Sequence, residues 1–141
     1  MKFSTKAQKC GLSPMRKFYP YAVAAQEAGK YIYSVNIGQP DIETPRQYFD
    51  AIHQFTQPIL EYAPSAGTPE LIAAIQAYYD RLNIHFDADE ILITSGASEA
   101  IQIVLNCILD DGDEVLIPEP FYPNYSTMIY TCGGVIRPIR T

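Results

Sequence analysis

The chain has 141 residues, sixteen acids against five lysines and five arginines, and a formal charge of −6. That length holds one ordinary domain with a core, and the charge leaves no bulk positive field to draw in nucleic acid or an anionic membrane surface. No apolar run reaches the length of a membrane span, and the N-terminus MKFSTKAQKCGLSPMRKF lacks the apolar centre of a signal peptide, so the expected compartment is the cytoplasm. Cys10, Cys107 and Cys132 are odd in number and form no CxxC pair, which argues against a disulfide framework and against a metal site. They read as ordinary thiols, with Cys107 in the core.

Residues 1 to 12 show scattered charge and read as an arm. Ser13-Pro14 has the form of a cap and first helical position, and Pro20 restarts a helix that Gly29 ends. Tyr31 to Val35 alternates like a short strand and runs into the turn-rich loop Asn36-Ile37-Gly38-Gln39-Pro40-Asp41. Thr44-Pro45-Arg46-Gln47 predicts a helix start, with Thr44 as cap and Gln47 closing a capping box; Tyr48, Ile52 and Phe55 form its apolar face. After the loop Glu61 to Gly67, Thr68-Pro69-Glu70 repeats the cap-proline-acid start. Leu71, Ile72, Ile75, Tyr78, Tyr79 and Leu82 then make an amphipathic helix.

The stretch Glu90 to Leu109 is the centre of the pattern. Ile91 to Thr94 reads as a strand, Ser95-Gly96-Ala97-Ser98 as a tight turn, and the remainder as a helix. Asp110 to Asp113 is a turn and Val115 to Ile117 a buried strand. Tyr122 to Tyr130 suits a helix, Gly133-Gly134 a break, and Val135 to Ile139 a third strand. The strand-helix-strand order predicts an α/β fold with a mostly parallel sheet covered by helices.

A turn from a strand into a helix aims free backbone N–H groups and the positive end of the helix dipole at one point, which suits an anion such as phosphate. Ser95 to Ser98 is neither a P-loop nor a three-glycine dinucleotide fingerprint. It comes near a nucleophile elbow with Ser98 as nucleophile, but the only histidines, His53 and His85, precede it and read as solvated. Locally, an anion site and a plain structural turn both stand. Gly38 and Tyr62, taken alone, are a turn glycine and a loop aromatic, and Tyr122 a filler of core space.

The ordered set changes this. NIGQPD, TP before a helix, EYAPSAG followed by TPEL, ITSGASEA, and GDEVLIPEPFYPNY together resemble the front portion of the class I and II aminotransferases, from about Ser13 to the last residue. These are fold-type I pyridoxal-phosphate enzymes, so the resemblance implies the N-terminal part of that three-layer αβα fold, incomplete in this chain. It implies an arm and small-domain segment over residues 1–43 and the first part of the cofactor-binding large domain over 44–141.

By residue, the resemblance implies that Gly96, Ala97 and Ser98 hold the cofactor's phosphate and that Tyr122 stacks on its ring. The backbone N–H of Gly38 meets the substrate carboxylate, and Tyr62 reaches the phosphate of the other subunit in a homodimer. Glu99 then points away from the phosphate. The implied reaction moves an amino group from an amino acid to a 2-oxo acid. It needs a Schiff-base lysine, which the family places downstream of PEPFYPNY, whereas all five lysines here lie between Lys2 and Lys30. The expectation is therefore a fragment with part of the cofactor cradle, no catalytic residue and no activity alone. In the family the first large-domain strand lies apart from the next two, with later strands between, so buried strand edges are left unpaired. Two alternatives share the fold: a pyridoxal-phosphate lyase or synthase, and a non-catalytic regulator module. The second expects a DNA-binding extension, and no basic face or helix-turn-helix precedes Ser13.

Overall fold

The computed structural model describes residues 2–11, 13 and 15–141. They gather into two compact units, one made of the residues up to Ile37 with Ser95–Thr141, the other of Gly38–Thr94. The first helical position expected at Pro14 lies outside the described residues.

In the first unit, helix α1 (Thr5–Lys9) is capped by Ser4, whose side chain accepts from the Ala7 N–H at 3.1 Å. Helix α2 (Tyr19–Glu27) starts with Pro20 in its first turn, and Gly29 follows it at φ 77°. Helix α5 (Ala97–Ile108) leads through a turn at Gly112 into strand β1 (Glu114–Glu119). Helix α6 (Asn124–Thr131) then crosses to strand β2 (Val135–Arg140). The two strands pair in parallel from Glu114 with Val135 to Glu119 with Arg140, so β1–α6–β2 is the crossover that a parallel pair requires. Met128, Ile129 and Cys132 are buried beneath this crossover. Gly134 is needed there: a Cβ on it would stand 2.9 Å from Ile129 Cγ2 and 3.1 Å from Leu109 Cδ1.

The two turns that flank the sheet are tied together. The Gly112 N–H donates to the Gly133 carbonyl at 2.9 Å, and the Val135 N–H to the Asp113 carbonyl at 2.7 Å. Lys6 of α1 pairs with Asp111 at 2.6 Å above Gly133, where a Cβ would stand 1.9 Å from Asp111 Oδ1. Arg137 pairs with Glu114 across the strands.

The second unit carries helix α3 (Arg46–Gln54) and helix α4 (Pro69–Asp80). Thr68 and Pro69 start α4 as expected, and Ile72 is its buried residue. The helix ends where Asn83 takes φ 57° and the Ile84 N–H returns to the Tyr79 carbonyl at 3.1 Å. Asn is among the few non-glycine residues that accept that conformation cheaply. Leu82 thus lies in the turn rather than in the helix. Asp87 and Glu90 close a reciprocal capping box before the segment Ile91 to Thr94.

Several expectations are corrected. Pro45, not Thr44, holds the cap position of α3, and no side chain caps it, so the Gln47 box does not form. Neither Tyr31 to Val35 nor Ile91 to Thr94 is a strand; each runs extended without a ladder among the described residues, because a strand exists only against a partner. Cys107 is exposed and Cys132 is the buried thiol, since the face of α5 bearing Cys107 and Ile108 has nothing packed on it among the described residues. Two separate compact bodies of these sizes would expose about 9,000 Å², whereas the chain exposes 12479 Å². The patterned apolar faces are real, but much of what they pattern for is missing from the contacts made here.

Candidate functional site

Helix α5 begins abruptly because Gly96 takes φ 81° and ψ 174°, a backbone turn open to glycine and strained for other residues. The first helical bond is long, from the Ala100 N–H to the Gly96 carbonyl at 3.5 Å. The amides of Ala97, Ser98 and Glu99 precede the intrahelical ladder and face out of the helix end. A Cβ placed on Gly96 would meet nothing within 4 Å, so the space in front of this turn is open. Ala97 and Ser98 are exposed there.

Glu99 does not point away from the turn. Its carboxylate folds back and accepts the Ser95 N–H at 2.5 Å. The helix end is thus already engaged with one anionic group, in keeping with its dipole. Among the described residues no group of three or more histidine, cysteine, aspartate or glutamate side chains is arranged to hold a metal ion.

Tyr122 follows β1 on the loop that begins at Pro120. Its hydroxyl accepts a hydrogen bond from Asn124 Nδ2 at 3.0 Å, and the Tyr125 ring meets it edge-on at 5.6 Å between centroids. The ring is still 52% exposed, so it is held in orientation while keeping surface free. Sequence reasoning missed Asn124 and Tyr125 as the residues that fix it. Their signal was the spacing in PEPFYPNY, where Pro123 starts a helical turn and brings the next two side chains back beside the ring.

Gln102 was also missed. From the middle of α5 its amide donates to Cys132 Sγ at 2.7 Å and reaches Thr131 Oγ1 at 3.4 Å, tying α5 to the C-terminal end of α6. The helix that carries the open turn is thereby coupled to the helix that follows Tyr122.

Gly96, Ala97, Ser98 and Tyr122 belong to the first unit; Gly38 and Tyr62 belong to the second. Gly38 lies in an exposed loop and would tolerate a Cβ, so any role it has rests on its backbone. Tyr62 is 104% exposed, with its ring entirely in solvent. Its loop is fastened below it. Gly67 takes φ 114°, its N–H donates to the Pro64 carbonyl at 2.9 Å, and the Ile93 N–H donates to the Ala66 carbonyl at 2.9 Å. A Cβ on Gly67 would overlap Ile93, at 2.1 Å from Cγ1 and 2.6 Å from Cβ. The glycine of EYAPSAG is therefore required for close approach, a reason that the sequence did not disclose.

Comparison with known proteins gives the same direction. The family model described as aminotransferase class I and II matches residues 32–141. The chain is 37% identical over 132 residues to a probable N-acetyl-LL-diaminopimelate aminotransferase of Bacillus subtilis, covering 92% of this chain and 33% of that protein. It is 32% identical over 136 residues to an aspartate aminotransferase of Rhizobium meliloti, covering 93% of this chain and 32% of the other. Among solved structures, a Rhizobium meliloti aspartate aminotransferase superposes with TM-score 0.86 at 30% identity, over 100% of this chain and 36% of that one. A single mutant of the Thermus thermophilus enzyme gives 0.90 at 29% identity, over 100% and 37%. The chain therefore spans about a third of the length of the relatives it matches. With a match over most of its length, an α5 turn of this form and the fold of those enzymes, this chain belongs to the class I and II aminotransferases.

Proposed function

We propose that these residues form the N-terminal part of a cytoplasmic, homodimeric, pyridoxal-phosphate-dependent aminotransferase that moves an amino group from an amino acid to a 2-oxo acid. The observation that carries this reading is the N-terminal turn of α5, open in front of Gly96 and already accepting a carboxylate at the Ser95 N–H. The donor set suits a phosphate dianion: amides of Ala97 and Ser98, the Ser98 hydroxyl and a helix N-terminus together bind one without a lysine. When bound, the cofactor supplies an aldehyde that takes up the amino group and an electron-withdrawing ring.

Within this reading each residue has one task. Gly96, Ala97 and Ser98 grip the phosphate, with Glu99 swinging clear of the Ser95 amide as the dianion enters. Tyr122, braced by Asn124 and Tyr125, presents a flat face that sets the plane of the ring, and that plane decides which substrate bond is weakened. The Gly38 N–H receives the substrate's α-carboxylate. Tyr62, wholly exposed on its own chain, supplies its hydroxyl to the phosphate of the second subunit. The amine that must bond the cofactor and then move a proton at the substrate's Cα comes from outside residues 1–141, because none of Lys2, Lys6, Lys9, Lys17 and Lys30 follows the turn in the chain.

Two measurements test it. The intact protein, given pyridoxal phosphate, an amino acid and 2-oxoglutarate, should return glutamate; ammonia or a cleaved carbon skeleton without a new amino acid would indicate a lyase instead. Residues 1–141 alone should show no turnover and no absorbance of a bound internal Schiff base. A stoichiometric borohydride-stable adduct at one active-site lysine of this piece, beyond the scattered labelling that free pyridoxal phosphate gives on exposed amines, would refute the assignment.

A further inference from the structure

The N-terminal end of α5 already holds an anion, and the anion belongs to the chain. Glu99, in the first turn of the helix, folds its carboxylate back onto the Ser95 N–H at 2.5 Å. The contact is charge-assisted and favoured by the helix dipole. Burial does not enforce it: every residue from Ser95 to Glu99 is exposed, and the space in front of Gly96 is open. Helix capping accounts for such a contact as a source of stability. Its place within the phosphate turn of the reading given above gives it a second consequence.

Each substrate of the proposed reaction, amino acid or 2-oxo acid, carries a carboxylate, the chemical equal of the Glu99 side chain. A free carboxylate that approaches the turn competes with one tethered four residues from the donor, at an effective concentration on the order of millimolar or above. While Glu99 is in place, every anion meets a turn that is open for only a fraction of the time, and its apparent affinity falls by that fraction. The penalty is common to all anions but decides only the fate of weak ones. A phosphate dianion carries twice the charge and engages the Ala97 and Ser98 amides and the Ser98 hydroxyl together, so it still binds.

We infer that Glu99 is a specificity-determining gate on the cofactor site: a resident carboxylate that closes the α5 turn to free carboxylates, those of the substrates included, and gives way to a phosphate dianion. Everything the gate needs lies in one stretch of the first unit, Ser95 to Glu99. A fixed negative charge that merely repels anions from a distance would act differently. Repulsion scales with the ligand's charge and penalises a dianion about twice as much, in free energy, as a monoanion, whereas competition for one donor penalises both by the same factor.

This inference rests on the proposed transaminase reading, and the test separates the two. The intact protein, freed of cofactor and held at about pH 8, where phosphate is a dianion, and at constant ionic strength, is titrated calorimetrically with inorganic phosphate alone and in the presence of acetate, which gives both affinities. Glu99→Gln, which keeps the side chain's length and removes its charge, should tighten phosphate and acetate alike, each about tenfold. Glu99→Asp, which keeps the charge but loses a methylene of reach, should tighten both by a smaller common factor, and it decides the question alone if Glu99→Gln does not fold. Ser98→Ala should weaken phosphate about tenfold in the parent and in Glu99→Gln, which places the ligand at this turn. A variant at Glu99 with native circular dichroism and unchanged or weaker phosphate binding overturns the inference and leaves Glu99 a helix cap. A gain for phosphate that is the square of the gain for acetate overturns it in favour of repulsion at a distance. Binding of phosphate and pyridoxal phosphate that Ser98→Ala does not weaken removes the phosphate turn of the transaminase reading, and the gate with it.

Discussion

Helices α3 and α6 are of nearly equal length and both carry apolar side chains at helical spacing, yet they end in opposite conditions. In α6, Met128 and Ile129 are 8% and 3% exposed beneath the β1–β2 pair. In α3 no residue is buried, and Tyr48, Phe49 and Ile52 are 59%, 47% and 52% exposed. Amphipathic pattern states that a helix needs an apolar partner, and does not say where the partner is. For α6 it is the contiguous βαβ chain from Glu114 to Arg140; for α3 nothing among the described residues buries any of its side chains.

That contrast is breakable by mutation. Ile129→Ala should cost about 2–5 kcal/mol, the usual cost of emptying a packed core position. Ile52→Ala should cost under about 1 kcal/mol wherever α3 stands as exposed as it does here. Urea unfolding of the two variants measures both. Equal costs in the intact protein would mean that something outside these residues covers α3.

A second variant asks whether the unit containing α3 is loosely made throughout or held at a point. Gly67→Ala places a methyl into Ile93 at a backbone angle that disfavours any side chain, and should destabilise by about 2–4 kcal/mol, releasing the Ala66–Ile93 hydrogen bond and the loop that bears Tyr62. Loss of protection at the Ile93 amide in hydrogen exchange, with the α6 amides unchanged, is the expected signature. Gly133→Ala in the first unit should be milder, about 1–2 kcal/mol, since φ 90° is strained for alanine but the atoms met are the tips of Asp111 and Lys6, which swing away.

The residues that were legible in the sequence are those whose chemistry is local. Gly96 announced a turn, Thr68-Pro69 a helix start, and Gly112 a tight reversal, because each acts within a few bonds of itself. The strand at Ile91 to Thr94 was read from β-branched residues, and it is extended, but a strand is a relation between two segments and its partner is not adjacent in the chain. Cys107 was misjudged for the same reason: burial is decided by what lies opposite, which periodicity leaves blank. At the site, the open turn and Tyr122 were visible as motif letters. The bracing of Tyr122 by Asn124 and Tyr125, the bridge from Gln102 to Cys132 and the inward fold of Glu99 were not, because they depend on rotamers and on contacts thirty residues apart.

The smallest expected effect concerns the link between α1 and the sheet. The Lys6 ammonium, by hydrogen bond and then by charge, with Lys9 adding to it, holds the Asp111 carboxyl below its usual range. Arg137 does the same for Glu114 between the strands. Both groups bind protons less readily folded than unfolded, so the unfolded chain gains protons first as pH falls. Their stabilisation is complete above the unfolded carboxylate values, near pH 4–5, and disappears as pH drops through the depressed folded values. Both carboxylates face solvent, so the effect is screened by salt and small. Asp111→Asn should cost a little stability at neutral pH and converge with the parent as pH falls, which flattens the acid limb slightly, and 0.5 M salt should erase the neutral-pH difference between variant and parent. A persistent difference at high salt would place the Lys6 pair in a drier environment than its exposure shows, and would mean that α1 is held to the β1–α6–β2 crossover by more than this surface ion pair.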